Sequence, residues 1–351
     1  MIKSFGTMPT APTSGFKEDC LGVTRLYRAS PPIYQASRFW EQVGSENAQA
    51  LSDSSYETFK RTVNSNYFQF MVRGWRHAYF LHLLGMIKRD ALLSILLRSR
   101  ICGAPLPPWA AFIHKIYVCM LYHFVSQDDP LKLLDRLVEP REGSPIVIEY
   151  AGRSISQDLL SSLVEFYALE NACGLTKRRG WRIAEVGAGY GRLAYLMHSV
   201  LEEGLQYCIV DIPPAVCVSQ RYLSAVFPGK KVFRCREFKA FSEVEEEFRA
   251  ADICFLLPHQ LELLPDSYFD VFITISNLPE MRREQIDMFL GHVDRLCRGH
   301  YFNKQYWDYF NPIDRYQMRF IDYPVPDRWR LVHLRPVWDK PNFFEAIYRL
   351  R

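Results

Sequence analysis

The chain is 351 residues long, enough for one large domain or for a domain of roughly 200 residues with an appended region. Its 43 Lys and Arg stand against 39 Asp and Glu, a net +4 that is too balanced to imply a nucleic-acid partner on charge alone. The nine cysteines form no C-x-x-C and no regular spacing; they exclude a zinc frame or disulfide scaffold and read as reduced thiols of a cytosolic, cytoplasmic protein.

Residues 1–34 carry Pro9, Pro12, Pro31 and Pro32 among Gly and Ser and read as an irregular leader, without the apolar run of a signal peptide. Over 35–140 the periodicity is helical. "FWEQV", "YETFKRTV", "YFLHLLGMIKRDALLSILLRS" and "PPWAAFIHKIYVCMLYHFV" each place apolar residues at i, i+3, i+4 and i+7. Pro107 and Pro108 suit a helix start. The longest apolar stretch is interrupted by His114, Lys115 and His123, so no membrane span is expected. The dense aromatic residues read as packing surface, with a groove that stacks on a sugar ring as the alternative. His77 and His82 lie five apart, a poor ligand spacing, and no D-x-D or H-x-x-x-H occurs, so no metal is expected.

The Pro-, Gly- and charge-rich stretch at 139–145 reads as a linker, and "IVIEY" as a short extended run. Ser156 is a suitable N-cap for a helix through about Ala172, which Gly174 closes. Beyond it strands and helices alternate. "WRIAEV", "QYCIVDI", "ADICFLL", "FDVFITI" and "GHYFNKQ" read as strands; 190–203, "PPAVCVSQRYLSAVF" and "REQIDMFLGHVDRLC" read as helices. Near-continuous apolar strands separated by helices predict a parallel sheet covered on both faces. The end differs: "WRLVHLRPVW" and "FFEAIYRL" are two strands joined by the turn "DKPN". The expected fold class is α/β: a doubly wound, mostly parallel seven-stranded sheet that ends in an antiparallel hairpin. The expected division is a leader at 1–34, a helical region at 35–140 and a cofactor-binding domain at 141–351.

The glycine run "AEVGAGYGRLAYLM" gains meaning from its strand–loop–helix setting. Glycine allows a sharp turn and close approach to a ligand, and the next helix presents free N–H groups. A dinucleotide loop wants G-x-G-x-x-G/A, but the last position here is Arg192. The pattern is instead E-x-G-x-G-x-G from Glu185 to Gly191. It suits S-adenosylmethionine, which has no pyrophosphate to cradle. Glu185 would attract the ligand's ammonium; Gly187, Ala188, Gly189, Gly191 and Arg192 would form the loop and helix start facing its methionine end. Asp211 ends the next strand 24 positions after Gly187, where a carboxylate can accept both ribose hydroxyls, with Ile212 beside it. An N-cap role is the plainer reading of Asp211.

"EVGAGYGRLAYLM…YCIVDIPPAV…FLLPHQLELLPDSYFDVFITISNLPEMRREQI…YFNKQYW" resembles the sugar O-methyltransferase family of bacterial surface-polysaccharide gene clusters, over about residues 145–310. The resemblance implies a class I S-adenosylmethionine-dependent methyltransferase fold and a sugar, sugar-nucleotide or glycan hydroxyl as acceptor. One departure is Pro279, where the family often carries a polar residue before the "EM" glutamate.

Methyl transfer to an alcohol needs the hydroxyl positioned near the methyl carbon and its proton removed. Glu280, among Leu278, Pro279 and Met281, is the first candidate base; a helix-start acid is its bland alternative. His259 is the rival base, and with Gln260 it is also a candidate for adenine contacts. Lys304 would polarise the acceptor hydroxyl or meet an anionic sugar, with Tyr306 and Trp307 stacking on the ring. Asn277 and Arg153 complete the expected cofactor set, Arg153 toward the methionine carboxylate. The helical region would lid the acceptor site or pair two subunits as a homodimer. Two other readings stand beside this enzyme: a non-catalytic S-adenosylmethionine- or glycan-binding partner of a glycan-assembly complex, and a methyltransferase with a non-sugar acceptor. A nicotinamide oxidoreductase is disfavoured by Arg192 and by the absence of a Y-x-x-x-K pair.

Overall fold

The computed structural model describes residues 15–53, 56–62, 71–102, 106–150, 152–201 and 203–351. The N-terminal half is mostly helical: α1 (Gly15–Arg28), α2 (Arg38–Asp53), α3 (Phe59–Thr62), α4 (Ala78–Met86) and α5 (Arg89–Arg98), then β1 (Arg100–Cys102), α6 (Pro108–Val125) and α7 (Leu133–Arg136). The expected irregular leader is corrected by α1, while its residues 1–14, with Pro9 and Pro12, lie outside the described residues. The reason is a short apolar stripe among polar residues: Cys20, Val23 and Tyr27, at i, i+3 and i+7, turn inward, and α1 packs on the later helix at 215–226. The stretch from Tyr79 to Ser99 is two helices, because Ile87 and Lys88 adopt extended backbone angles between them.

β2 (Val147–Tyr150) and β3 (Arg153–Ile155) form a hairpin, and β1 pairs with β2 across the linker-like stretch to make a small antiparallel sheet. α8 (Gln157–Cys173) follows. The Ser156 hydroxyl accepts the Leu159 N–H at 3.0 Å, and Gly174, at φ 65°, donates its N–H to the Glu170 carbonyl. Its cap and closing glycine are therefore the ones read from the sequence.

The main sheet is built from β4 (Arg182–Val186), α9 (Arg192–Val200), β5 (Gln206–Val210), α10 (Ala215–Val226), β6 (Val232–Phe233), α11 (Glu245–Ala250), β7 (Ile253–Leu256), β8 (Phe269–Ile275), α12 (Arg283–Leu296) and β9 (Cys297–Tyr306). After the small ribbon β10 (Asp308–Asn311) and β11 (Tyr316–Arg319), β12 (Arg330–Val337) and β13 (Lys340–Arg349) close it. The spatial order is β12-β13-β9-β8-β4-β5-β7-β6. β12, β13 and β9 pair antiparallel and the other neighbours parallel. The sheet thus has eight strands among the described residues where seven were expected. The addition is the two-residue edge strand β6, too short to show a pattern.

Side chains alternate between two cores, as the pleat requires. Ile183, Tyr207 and Ile209 face the core shared with the N-terminal helices; Ala184, Val186, Cys208 and Val210 face the core under α11 and α12. β4 pairs with β5 on one side and β8 on the other, so the chain reverses its winding there. In open α/β sheets a crevice opens at that reversal, beyond the carboxyl ends of the strands.

β9 crosses β8 at a register irregularity beside Gly299, where a Cβ would lie 2.2 Å from the Asp270 carbonyl oxygen. That oxygen is backbone and cannot swing away. Gly299→Ala is therefore expected to lower stability by about 3 kcal/mol, read as a shift in the urea midpoint.

Candidate functional site

The reversal point holds the main cavity. It is lined at the strand ends by Glu185, Val186, Val210, Asp211, Ile275, Ser276 and Lys304. The segment Tyr34–Ser37, with Phe39 and Trp40, forms one wall, and Tyr79 of α4 with Lys340 and Phe343 of β13 forms another.

The loop after β4 is folded by its own glycines. Gly187, Gly189 and Gly191 have φ of 73°, 61° and 86°, the left-handed region that glycine adopts without penalty. A Cβ on Gly187 would meet the Asn277 amide at 2.4 Å, so that position is closed to other residues by contact as well. Asn277 donates to the Val186 carbonyl, which locks the β8 loop onto the end of β4. Gly191 sits at the start of α9 against Leu223 and Ile209 and does not line the cavity.

Asp211 joins the two strand ends. One carboxylate oxygen accepts the Gly189 N–H at 2.8 Å and the other the Ile212 N–H at 2.8 Å. Each oxygen keeps capacity for one more donor. The helix α10 begins at Pro214 without a side-chain cap, so the N-cap reading does not hold for Asp211. Burial pushes its carboxyl up to about 7, against those two N–H groups. Glu185 is likewise raised by burial to about 7, although the Tyr207 hydroxyl donates to it at 2.7 Å. Glu280 follows β8 on a short turn and is raised to about 8 by burial. Among the described residues these acids and Glu165 line one cavity.

Glu165 behaves in the opposite way. Burial alone would push its carboxyl up, but the charges of Arg192 and Lys304 outweigh that and hold it down to about 2. Arg192 binds it with two donors, at 2.6 and 2.9 Å, and Lys304 donates at 3.0 Å. Arg192 also donates to Ser162 at 2.9 Å. Burial would lower Arg192, yet the Glu165 pair raises it, so its charge is fixed. Lys304 lies near the end of β9 and keeps donors to spare toward the cavity. Lys340, on the hairpin strand beside it, is lowered by burial and by Lys304 to about 8.

The wall of residues 34–37 is held by α12 and its leading turn. Arg282 donates to the carbonyls of Pro32 and Ala36 at 2.8 and 3.0 Å, and Gln285 to those of Ile33 and Gln35 at 2.9 and 2.8 Å. The Ser37 hydroxyl donates to the Glu280 carbonyl at 2.6 Å.

Of the residues singled out in the sequence, the cavity gathers Glu185, Gly187, Ala188, Gly189, Arg192, Asp211, Ile212, Asn277, Glu280 and Lys304. It does not gather the rest. Gln260 spends its amide on the Leu257 N–H and the Arg236 carbonyl, and His259 stands edge-on to Tyr34 behind the wall. Arg153 lies away from the cavity, paired with Asp135 and the Leu134 carbonyl. Trp307 packs on Phe320 and Phe344, and Tyr306 lies behind Phe343 at 3.9 Å between rings. The aromatic side chains lining the cavity are instead Tyr34, Phe39, Trp40, Tyr79, Phe289 and Phe343. Sequence reasoning missed Glu165, Lys340 and residues 34–37.

Replacing Glu165 with Gln leaves two buried cations without their counter-charge. Glu165→Gln is expected to cost about 3–5 kcal/mol in thermal or urea unfolding.

No protein-family model matches the chain, and no curated protein does. Among solved structures it is similar to a magnesium protoporphyrin IX methyltransferase from Synechocystis with bound S-adenosylmethionine: 13% identity, 55% of this chain and 81% of that one, TM-score 0.36. It is also similar to a 1,6-didemethyltoxoflavin N1-methyltransferase from Burkholderia thailandensis, solved with its substrate and S-adenosylhomocysteine (15%, 72% and 94%, 0.36). A third is an S-adenosylmethionine-dependent methyltransferase from Aquifex aeolicus (13%, 54% and 98%, 0.35).

Proposed function

We propose that the protein is an S-adenosylmethionine-dependent O-methyltransferase and that its acceptor is a sugar hydroxyl of a free, nucleotide-linked or glycan-borne sugar. The observation that carries this reading is the Asp211 clamp. A half-buried carboxylate at the end of β5 holds the left-handed glycine loop by Gly189 and still has two acceptor positions for a ribose diol. The sheet supports it, since a parallel doubly wound core closed by the antiparallel strands β13 and β12 is the arrangement expected of this enzyme class.

The donor set fits the cofactor. Asp211 would hold the ribose, Glu185 the ammonium, and the loop Gly187–Gly189 would lie along the methionine end. Tyr34, Ile212, Ala215, Pro258 and Phe289 offer a mostly apolar slot for the adenine. Arg192 is a positioning residue, because its guanidinium is taken by Glu165. When bound, the cofactor supplies a methyl group made electrophilic by its sulfonium.

The protein's own part is to orient the acceptor and take its proton. Glu280 accepts the hydroxyl proton on its carboxylate as the oxygen attacks. Burial favours the protonated carboxyl, so the active base form grows as pH rises through about 8. Lys304, paired with Glu165 at 3.0 Å, donates a hydrogen bond that orients the acceptor oxygen, and Tyr79 and Phe343 flank the ring. The segment at residues 34–40 shields the site from water.

The test is release of S-adenosylhomocysteine from S-adenosylmethionine with a panel of sugars, sugar nucleotides and glycans. The rate should climb with pH to a plateau above about 8. Glu280→Gln should lower kcat about a hundredfold or more and leave S-adenosylhomocysteine affinity unchanged. Turnover that is insensitive to both pH and Glu280→Gln would remove Glu280 as the base.

A further inference from the structure

The helices α4 and α5 each pack on α6, and all three carry exposed apolar side chains. On α4 these are Leu81 and Leu84, on α5 Leu93, Leu96 and Leu97, and on α6 Trp109 and Phe112. The spacings are i, i+3 and i+4, so each set is one helical stripe. Leu97 is 84% exposed and Trp109 61%, and Trp75, just before α4, is 56% exposed. A water-facing helix does not ordinarily spend its outer stripe on leucine and tryptophan, and an exposed apolar patch of this kind marks a contact surface.

The charges say what covers it. From residue 71 to 115 the chain carries Arg73, Arg76, Lys88, Arg89, Arg98, Arg100 and Lys115 against a single acid, Asp90. Arg89 and Arg98 are exposed on α5, and Arg76, Lys88 and Arg100 are exposed in the segments that flank these helices, Arg100 opposite Glu149 of β2. Arg76 stacks on Trp75 at 4.6 Å, and Lys115 lies over Phe112 at 5.3 Å. Leucine and tryptophan at the centre with Lys and Arg around them is the make-up of a surface that enters the headgroup layer of an anionic bilayer. A second copy fits poorly, because two such faces would set like charges against each other. No helix among the described residues is long and apolar enough to cross a membrane, so the contact lies in the plane of the surface.

We propose that α4, α5 and the start of α6 form a docking face for the surface of an anionic lipid bilayer. The inference stands independently of the cofactor reading. The two meet at α4, whose Tyr79 lines the cavity while Leu81 and Leu84 face outward.

The test is co-sedimentation of the full chain with vesicles of phosphatidylcholine alone and of phosphatidylcholine with one-third phosphatidylglycerol. The protein should bind the anionic vesicles, less the neutral ones, and more weakly as salt rises. Leu97→Ser with Trp109→Ser, both at exposed positions, should abolish binding to either vesicle. Arg89→Gln with Arg98→Gln should weaken binding to the anionic vesicles about fivefold per charge. Circular dichroism of the variants confirms that they fold. No binding by the unaltered protein at low salt, or binding that neither pair of substitutions changes, overturns the proposal. So does a dimer in analytical ultracentrifugation that both pairs dissolve without any vesicle binding, since the face would then belong to a second copy.

Discussion

The Glu165 carboxylate is the point on which the site's architecture turns. It comes from α8, meets Arg192 from the start of α9 and Lys304 from the end of β9, and has no exposure to solvent. Three elements distant in sequence are thereby set around one charge. Such a triad repays its desolvation only when its donors are fully placed, which the bidentate Arg192 contact and the Ser162 hydroxyl provide. The glycine loop lies between β4 and Arg192, so fixing Arg192 fixes one end of the loop. Asp211 fixes its middle through Gly189.

Four carboxyls line the same cavity, yet their protonation diverges because their neighbours do. Glu165 faces two cations and stays ionised. Glu185, Asp211 and Glu280 have only hydroxyl or N–H donors, or burial with little to oppose it, and rise to between about 7 and about 8. Groups that titrate near neutrality inside a cavity are the usual mark of chemistry or ligand binding, whereas a fully paired ion is the mark of structure. The cavity therefore separates into a fixed part, Glu165 with Arg192 and Lys304, and a part whose carboxyls, Glu185, Asp211 and Glu280, are raised by burial.

Much of this was legible in the chain. Strand β5, buried at every position, and β4 beside it declared a two-sided sheet through near-continuous apolar runs, and Ser156 with Gly174 bounded α8. The loop and Asp211 could be read because local rules govern them: a left-handed turn needs glycine, and a strand end beside it needs an acceptor. What escaped was non-local. Glu165 and Lys340 reach the cavity from elements 20 residues before β4's loop and at the far hairpin, and nothing in their own neighbours announces it. Arg153 and Gln260 looked chemically suitable but satisfy nearby backbone carbonyls instead. The helix α1 was hidden because its inward stripe, Cys20, Val23, Leu26 and Tyr27, is set among polar residues, a pattern that composition reads as a leader.

The central claim is that the Asp211 clamp is a binding site for S-adenosylmethionine. The most direct measurement is calorimetric titration of the full chain with S-adenosylhomocysteine and, separately, NADH, on the unaltered protein and on Asp211→Asn, at pH values on either side of 7. The account predicts S-adenosylhomocysteine binding that strengthens as Asp211 ionises toward pH 7, weakens sharply in Asp211→Asn, and has no counterpart with NADH. Absence of S-adenosylhomocysteine binding by the folded protein, or binding indifferent to Asp211→Asn, would contradict it.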